Sequence, residues 1–192
     1  MKNVRKKGHF PYLKTFIFCV FMAVLVVFTI IYFYPVKYAD IINKYSKKYN
    51  LRPEFIYAII NTESGFDAKE ISPKGARGLM QIMKSTAEWA ASNENIEDFD
   101  YDNIYDPELN IHIGCWYVSW LNDKFDSNKT LVLAAYNAGT GNIAKWLSSD
   151  EYSDDGKSLS KIPFKETNDY VKKVTYAEKF YKYILKIPFI GE

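Results

Sequence analysis

The chain has 192 residues, of which 48% are hydrophobic and 17% aromatic, with 25 Lys and Arg against 23 Asp and Glu. This length suits one compact domain with an additional segment, and the apolar content excludes a mainly disordered chain. Positions 1–34 hold five basic residues and no acid, so positions 35–192 carry 20 basic and 23 acidic side chains. That balance argues against nucleic acid as a partner, because phosphate binding requires a concentrated basic face.

Residues 15–34 form an uncharged apolar run of 20 residues, long enough to cross a hydrocarbon core of roughly 30 Å as a helix. We predict a single-pass anchor in the cell membrane. The basic residues before it place a short N-terminus, residues 1–14, in the cytoplasm and the remaining domain, residues 35–192, outside. A buried core helix would have a polar stripe, and a cleaved signal peptide would have a shorter run and a small-residue cleavage site. Cys19 lies inside the run and Cys115 in a later predicted helix, so no disulfide framework is expected.

The part after the anchor is predicted to be mainly α-helical, without a clear strand. In chain order, apolar residues at helical spacing predict helices at 38–49, 53–64, 85–92, 107–121, 130–137 and 168–186. Pro53 suits a first helical position, and Gly65 lies just past the end of the same helix. Residues 85–88 have the capping-box form at the start of the third helix. Gly139 and Gly141 are expected to break the fifth.

A carboxylate continues the apolar stripe of the second helix. Ile56, Ile59 and Ile60 define the buried face, and the next position on it is Glu63. Desolvation and the last carbonyls of the helix both disfavour the charged form, so the pKa should rise. A protonated carboxyl near neutral pH can donate a proton to a glycosidic leaving group. The alternative is a glutamate in the last turn that simply tilts into water.

Four motifs follow one another with plausible spacing: ESGF at 63–66, SPKGARGLMQIM at 72–83, AAYNAG at 134–139, and PFKET at 163–167 with Tyr170 and Val171. Together they resemble the soluble lytic transglycosylase family of peptidoglycan-cleaving enzymes, in the lysozyme-like superfamily. The resemblance extends over residues 38–185. It implies a lysozyme-like helical domain with a groove for glycan strands. Lys84 stands where the family commonly has Pro, at a helix start and away from any catalytic role.

The resemblance implies that Glu63 is the sole catalytic acid and base. The residues that it implies as substrate-binding are Ser72, Gly78, Leu79, Gln81, Met83, Tyr136, Asn137, Glu166 and Tyr170. Those between positions 72 and 83 would line the groove near the sugars, the tyrosine and asparagine of the third motif would lie at the reaction centre, and the last two would shape the groove. Read without the family, the same residues fit turn glycines, a helix stop, a surface Glu and a core Tyr.

The implied reaction needs no metal or cofactor. His112 stands alone on a predicted helix, without other residues at ligand spacing. The family reaction cleaves the bond between N-acetylmuramic acid and N-acetylglucosamine and leaves a 1,6-anhydro end. Two alternatives stay open: a goose-type-like muramidase of the same fold, and a membrane-tethered peptidoglycan-binding or assembly factor without catalysis. The expected partners are glycan strands and the membrane, and a role beside cell-wall or secretion machinery is compatible with the enzymatic interpretation.

Overall fold

The computed structural model describes residues 10–187; the predicted basic N-terminus before residue 10 and the last five residues lie outside this range. Eight α-helices and one short 3-10 helix, Tyr101–Tyr105, occur in it. The α-helices are α1 (Phe10–Phe33), α2 (Ala39–Lys48), α3 (Pro53–Glu63), α4 (Lys84–Asn93), α5 (Pro107–Lys124), α6 (Lys129–Ala138), α7 (Thr140–Leu147) and α8 (Lys165–Ile184). The described residues form no strand, only two isolated β-bridges that share Arg77. The prediction of a mainly helical chain is confirmed.

The chain divides into two compact units, Met1–Pro35 and Val36–Glu192. The first contains α1, in which the stretch Tyr12–Phe33 has a mean hydropathy of 2.9 and no buried side chain. Its length and composition are sufficient to cross a membrane, and a signal sequence near an N-terminus meets the same criterion. The retained anchor therefore stays a prediction.

Helix α3 lies at the centre of the second unit, where it packs mainly against α8, while α8 also packs against α6. It begins at Pro53, which needs no hydrogen-bonded N–H there, and it is followed by Gly65 at φ 58°. The predicted core residues Ile56, Ile59 and Ile60 are fully buried. Burial continues on the other side of the helix, so α3 is surrounded by protein rather than lying on the surface.

Two local predictions differ from the structure, the first wholly and the second for one of its two glycines. The capping box at residues 85–88 does not form, because α4 begins one residue earlier at Lys84 and Ser85 is already inside the helix. Glu88 instead lies 3.8 Å from the Lys84 ammonium, one turn away. Of the two glycines expected to break the fifth predicted helix, Gly139 does end α6, whereas Gly141 lies inside α7, which starts directly after Gly139.

The start of α8 also differs from the prediction. The helix begins at Lys165, three residues before the predicted position, so Glu166 lies in its first turn. Val174, Tyr181 and Ile184 form part of its buried face. Because α8 packs along α3, its first turn comes close to the C-terminal end of α3, where Glu63 lies.

Candidate active site

A cleft of about 410 Å³ opens beside the C-terminal end of α3. Its walls come from the end of α3, the loop before α4, the starts of α4 and α8, the middle of α5 and the α6–α7 junction. Seven of the ten predicted site residues line it: Glu63, Ser72, Gln81, Met83, Tyr136, Asn137 and Glu166. The other three, Gly78, Leu79 and Tyr170, are buried and are not among the lining residues.

Glu63 is the last residue of α3 and points into the cleft. It is half-buried as a residue because it lines an open cleft, yet its carboxyl is closely surrounded by protein. Desolvation raises its pKa from 4.5 to about 7, and the charge of Glu166 adds to the rise. Tyr170 acts in the opposite direction by favouring the carboxylate. The buried Tyr170 hydroxyl has no partner at ordinary hydrogen-bond geometry, so it lies near the carboxyl without a well-formed bond to it.

The loop between α3 and α4 is fastened to α5 by a buried amide. Asn110, which is fully buried, accepts a hydrogen bond from the Met80 amide at 2.8 Å and donates to the carbonyls of Arg77 and Ile104 at 3.0 and 2.9 Å. Gly78 passes directly over this side chain with φ +77°, and a Cβ there would lie 2.3 Å from the Asn110 Nδ2 atom. Gly78 thus allows the loop backbone to approach the Asn110 side chain closely.

Gln81 is held by its own loop. Its backbone is left-handed, with φ 48°, and its Nε2 atom donates to the carbonyls of Glu70 at 3.1 Å and Gly78 at 2.9 Å. Both amide hydrogens are therefore used within the loop, which leaves the amide oxygen as the group that can accept from a ligand. Ser72 is engaged in the same way, because its hydroxyl accepts from the Ala76 amide at 2.9 Å.

Two hydroxyls join the loop to the helices that carry the site. The Tyr136 phenol on α6 donates to the Met80 carbonyl at 2.7 Å, and the Ser64 hydroxyl after α3 donates to the Leu79 carbonyl at 2.8 Å. Burial raises the pKa of Tyr136 well above its usual value, so the phenol stays a donor. The buried Leu79 thus contributes its backbone, rather than its side chain, to fixing the loop beside Glu63.

A hydrogen bond between α6 and α8 fixes the wall of the cleft that these two helices form. The Asn137 amide oxygen accepts from the Thr167 hydroxyl at 2.7 Å, and Thr167 is buried. Its neighbour Glu166 is exposed and lines the cleft. The cleft therefore contains two carboxyl groups from distant parts of the sequence.

Seven residues that line the cleft were not among the predicted site residues, including Lys74, Thr86 and Tyr117, and the buried Asn110 was also missed. Tyr117 packs against Tyr136 with ring centroids 5.5 Å apart. The sequence gives one signal for Asn110, which is a polar residue among the apolar residues of α5. A side-chain amide in such a place supplies hydrogen bonds to buried backbone groups. In the described part of the chain, no group of three or more His, Cys, Asp or Glu side chains could hold a metal ion.

This helical fold and cleft belong to a known class. Residues 40–159 match the transglycosylase SLT domain family, and the chain belongs to that family. The Slt lytic transglycosylase of Pseudomonas aeruginosa, solved as an inactive glutamate-to-glutamine mutant, has a TM-score of 0.71 at 30% identity over 82% of this chain and 26% of that one. The predicted lysozyme-like transglycosylase fold is confirmed.

Curated relatives include soluble and membrane-bound proteins. The soluble lytic murein transglycosylase of Escherichia coli strain K12 is 34% identical over 154 residues, which cover 79% of this chain and 24% of that protein. The membrane-bound lytic murein transglycosylase C of Serratia proteamaculans is 29% identical over 174 residues, covering 76% of this chain and 47% of that protein. The chain thus spans about a quarter of the soluble relative's length.

Proposed function

We propose that the protein is a membrane-anchored peptidoglycan lytic transglycosylase. It cleaves the β-1,4 bond between N-acetylmuramic acid and N-acetylglucosamine in cell-wall remodelling. The observation that carries the proposal is the Glu63 carboxyl, which lines a cleft and has a pKa of about 7. A carboxyl with this pKa is about half protonated at neutral pH and largely protonated below it, so it can serve as the acid catalyst of glycoside cleavage. Membership of the transglycosylase SLT family supports the same activity.

In the proposed reaction, Glu63 protonates the glycosidic oxygen while the bond from that oxygen to C1 of the muramoyl residue breaks. The N-acetyl group of the substrate stabilises the cation, which makes a second carboxylate unnecessary as nucleophile. The Glu63 carboxylate then takes the proton of the muramoyl C6 hydroxyl, whose oxygen bonds to C1. The product is a 1,6-anhydro end, and no water is consumed.

The neighbours of Glu63 suit this cycle. Gln81 presents an amide oxygen to hydroxyl or acetamido donors, and Met83 supplies an apolar contact, 42% exposed, at the start of α4. Tyr136 lies in the same cleft and stays neutral. We assign Asn137 to positioning, through its bond to Thr167. Three predicted site residues are buried and would act without lining the cleft. Gly78 and Leu79 would fix the loop, and Tyr170 would act through its effect on the Glu63 pKa.

One observation favours a second candidate, a muramidase that releases reducing ends. Glu166 lines the same cleft as Glu63, although the two are far apart in sequence. A second carboxylate could activate a water molecule, as in two-carboxylate glycosidases. The products distinguish the two reactions.

We propose that residues 15–34 anchor the protein, with residues 1–14 in the cytoplasm and residues 35–192 outside. The apolar stretch Tyr12–Phe33, which contains no buried residue, and the basic residues before it support this orientation. Tethering would restrict cleavage to wall near the membrane. Protease added to intact spheroplasts should remove the domain and leave the N-terminus protected; loss of an N-terminal tag would contradict this topology.

The test of the function is a digest of purified peptidoglycan with residues 36–192, read by mass spectrometry. Glu63→Gln is the matched variant, because it keeps the shape of the side chain and removes the acid. Anhydro-muramoyl ends, absent with the variant, are the expected result. Reducing ends would establish the muramidase instead. If no product depended on Glu63, the non-catalytic binding or assembly role would replace both.

A further inference from the structure

The outer face of α8 carries a stripe of exposed apolar side chains far from the cleft. Tyr176, Phe180 and Tyr183 follow one another at helical spacing, and Ile187 comes just after the helix; we call these four residues the α8 stripe. They are 61%, 48%, 71% and 50% exposed, respectively. Eight large apolar side chains are exposed in the described part of the second unit, and half of them belong to this one face. Single exposed apolar residues are ordinary, but a row on one face marks an interaction surface.

The exposed charges between positions 172 and 187, around the α8 stripe, all have one sign. Lys172, Lys173, Lys179, Lys182 and Lys186 are exposed between positions 172 and 187. The acid in this segment is Glu178, which is 4% exposed and faces inward, paired with Arg52 and Lys129. Just before the segment, Asp169 is paired with Lys165. The exposed surface of this segment is therefore aromatic and basic, and its lysines stand on both sides of the apolar row.

We propose that the α8 stripe docks on an anionic lipid surface. A helix with an apolar aromatic face flanked by lysines lies in the membrane interface, where tyrosine rings reach the headgroup level and lysines attract anionic headgroups. A protein partner is the weaker explanation, because lysine is depleted in protein–protein interfaces. The five residues from Tyr34 to Tyr38 that join α1 to α2 reach less than roughly 20 Å when extended, which keeps the domain close to an anchored α1. The inference uses the proposed anchor but not the proposed reaction.

Docking would have a consequence for the cleft. Glu166 lines the cleft from the first turn of the helix that carries the stripe. About 25 Å of helix separate Glu166 from Tyr183, at about 1.5 Å per residue. The rigid helix would therefore set how far above the lipid the cleft meets a glycan strand.

The experiment uses the full chain in nanodiscs and measures lipid contact, which does not depend on catalysis. A fluorophore is attached at Tyr183→Cys, in a Cys19→Ala background, because the other cysteine, Cys115, is fully buried. A second sample carries it at Lys157→Cys, an exposed position outside α8. Discs contain phosphatidylcholine with or without phosphatidylglycerol, plus lipids with a nitroxide on the headgroup.

The expected result is strong quenching by the nitroxide lipid at position 183, in phosphatidylglycerol discs, and little at position 157. Charge reversal at Lys172, Lys173 and Lys179 to Glu should lower quenching at 183 to the control level. The same reversal at three exposed lysines elsewhere, Lys69, Lys145 and Lys161, changes net charge equally and should leave it intact.

Equal quenching at the two label positions would overturn the proposal. So would quenching at 183 that is unaffected by both lipid charge and the α8 reversals. A third outcome is that the particles contain two chains and that the label at 183 is shielded from aqueous iodide equally in discs and in detergent. That result would assign the α8 stripe to a contact between copies of the protein instead.

Discussion

Replacing Glu63 by Gln should stabilise the domain at alkaline pH while removing its activity. Burial raises the pKa of this carboxyl from 4.5 to about 7. The folded state therefore binds the proton more tightly than the unfolded chain does. At a pH above both values the native protein must hold a carboxylate in a site that favours the neutral acid, and the neutral amide of glutamine avoids that cost.

The pH dependence has a definite sign and size. The contribution of the protonated Glu63 carboxyl to the free energy of unfolding is fully present below about pH 4.5. It is lost as the pH rises through about 7, because between these values the folded state holds the proton and the unfolded chain does not. A change from 4.5 to about 7 corresponds to roughly 3 kcal/mol, at about 1.4 kcal/mol per pKa unit. The free energy of unfolding of Glu63→Gln minus that of the wild type should therefore increase by roughly 3 kcal/mol between pH 4.5 and pH 8.

Urea unfolding of residues 36–192, followed by circular dichroism at several pH values, measures this difference. The wild type and the variant share every other titrating group, so their difference isolates position 63. Glu70→Gln, at an exposed site, is the matched control and should follow the wild type at every pH. Parallel curves for the wild type and Glu63→Gln would refute the argument, since the carboxyl could not then be desolvated.

Three further predictions concern the site. The kcat/KM of peptidoglycan cleavage should fall about tenfold per pH unit above about pH 7, as Glu63 loses the proton that it must donate. Asn110→Ala should lower the free energy of unfolding by roughly 3 kcal/mol, because three buried backbone partners lose about 1 kcal/mol each. Tyr136→Phe should lower it by about 1–2 kcal/mol and also lower kcat, because the Met80 carbonyl loses its donor beside the site.

The controls for these three are specific. The pH profile is measured by turbidity between pH 5 and pH 9, and a rate that stays constant up to pH 9 would contradict the role of Glu63. Asn93→Ala, at an exposed helical position, should change urea stability by less than about 0.5 kcal/mol; an equal effect at Asn110 would contradict the anchoring of the loop. A Tyr136→Phe enzyme with unchanged kcat and stability would show that its hydroxyl is dispensable.

The helices were predictable where apolar residues recur at helical spacing over several turns and where residues typical of helix ends flank them. The six predicted helices after the anchor all exist, and the start at Pro53 and the cap at Asp106, which accepts from the Leu109 amide, follow directly from the sequence. α7 was missed because eight residues are too short for periodicity to be recognised and glycines stand at both 139 and 141. Ser85 failed as a cap because the competing start at Lys84 moved it into the helix.

The sequence by itself determined where Glu63 lies on its helix, because helical periodicity and Pro53 are local properties that need no tertiary contact. It also determined the apolar run of α1 and the four motifs. Only the tertiary structure decided that the charge of Glu166, more than a hundred positions away, acts on the pKa of Glu63, and that Asn110 holds the loop. The physical reason is that burial, charge and hydrogen bonding at Glu63 depend on how α3, α5, α6 and α8 pack. Spacing along the chain does not encode that packing.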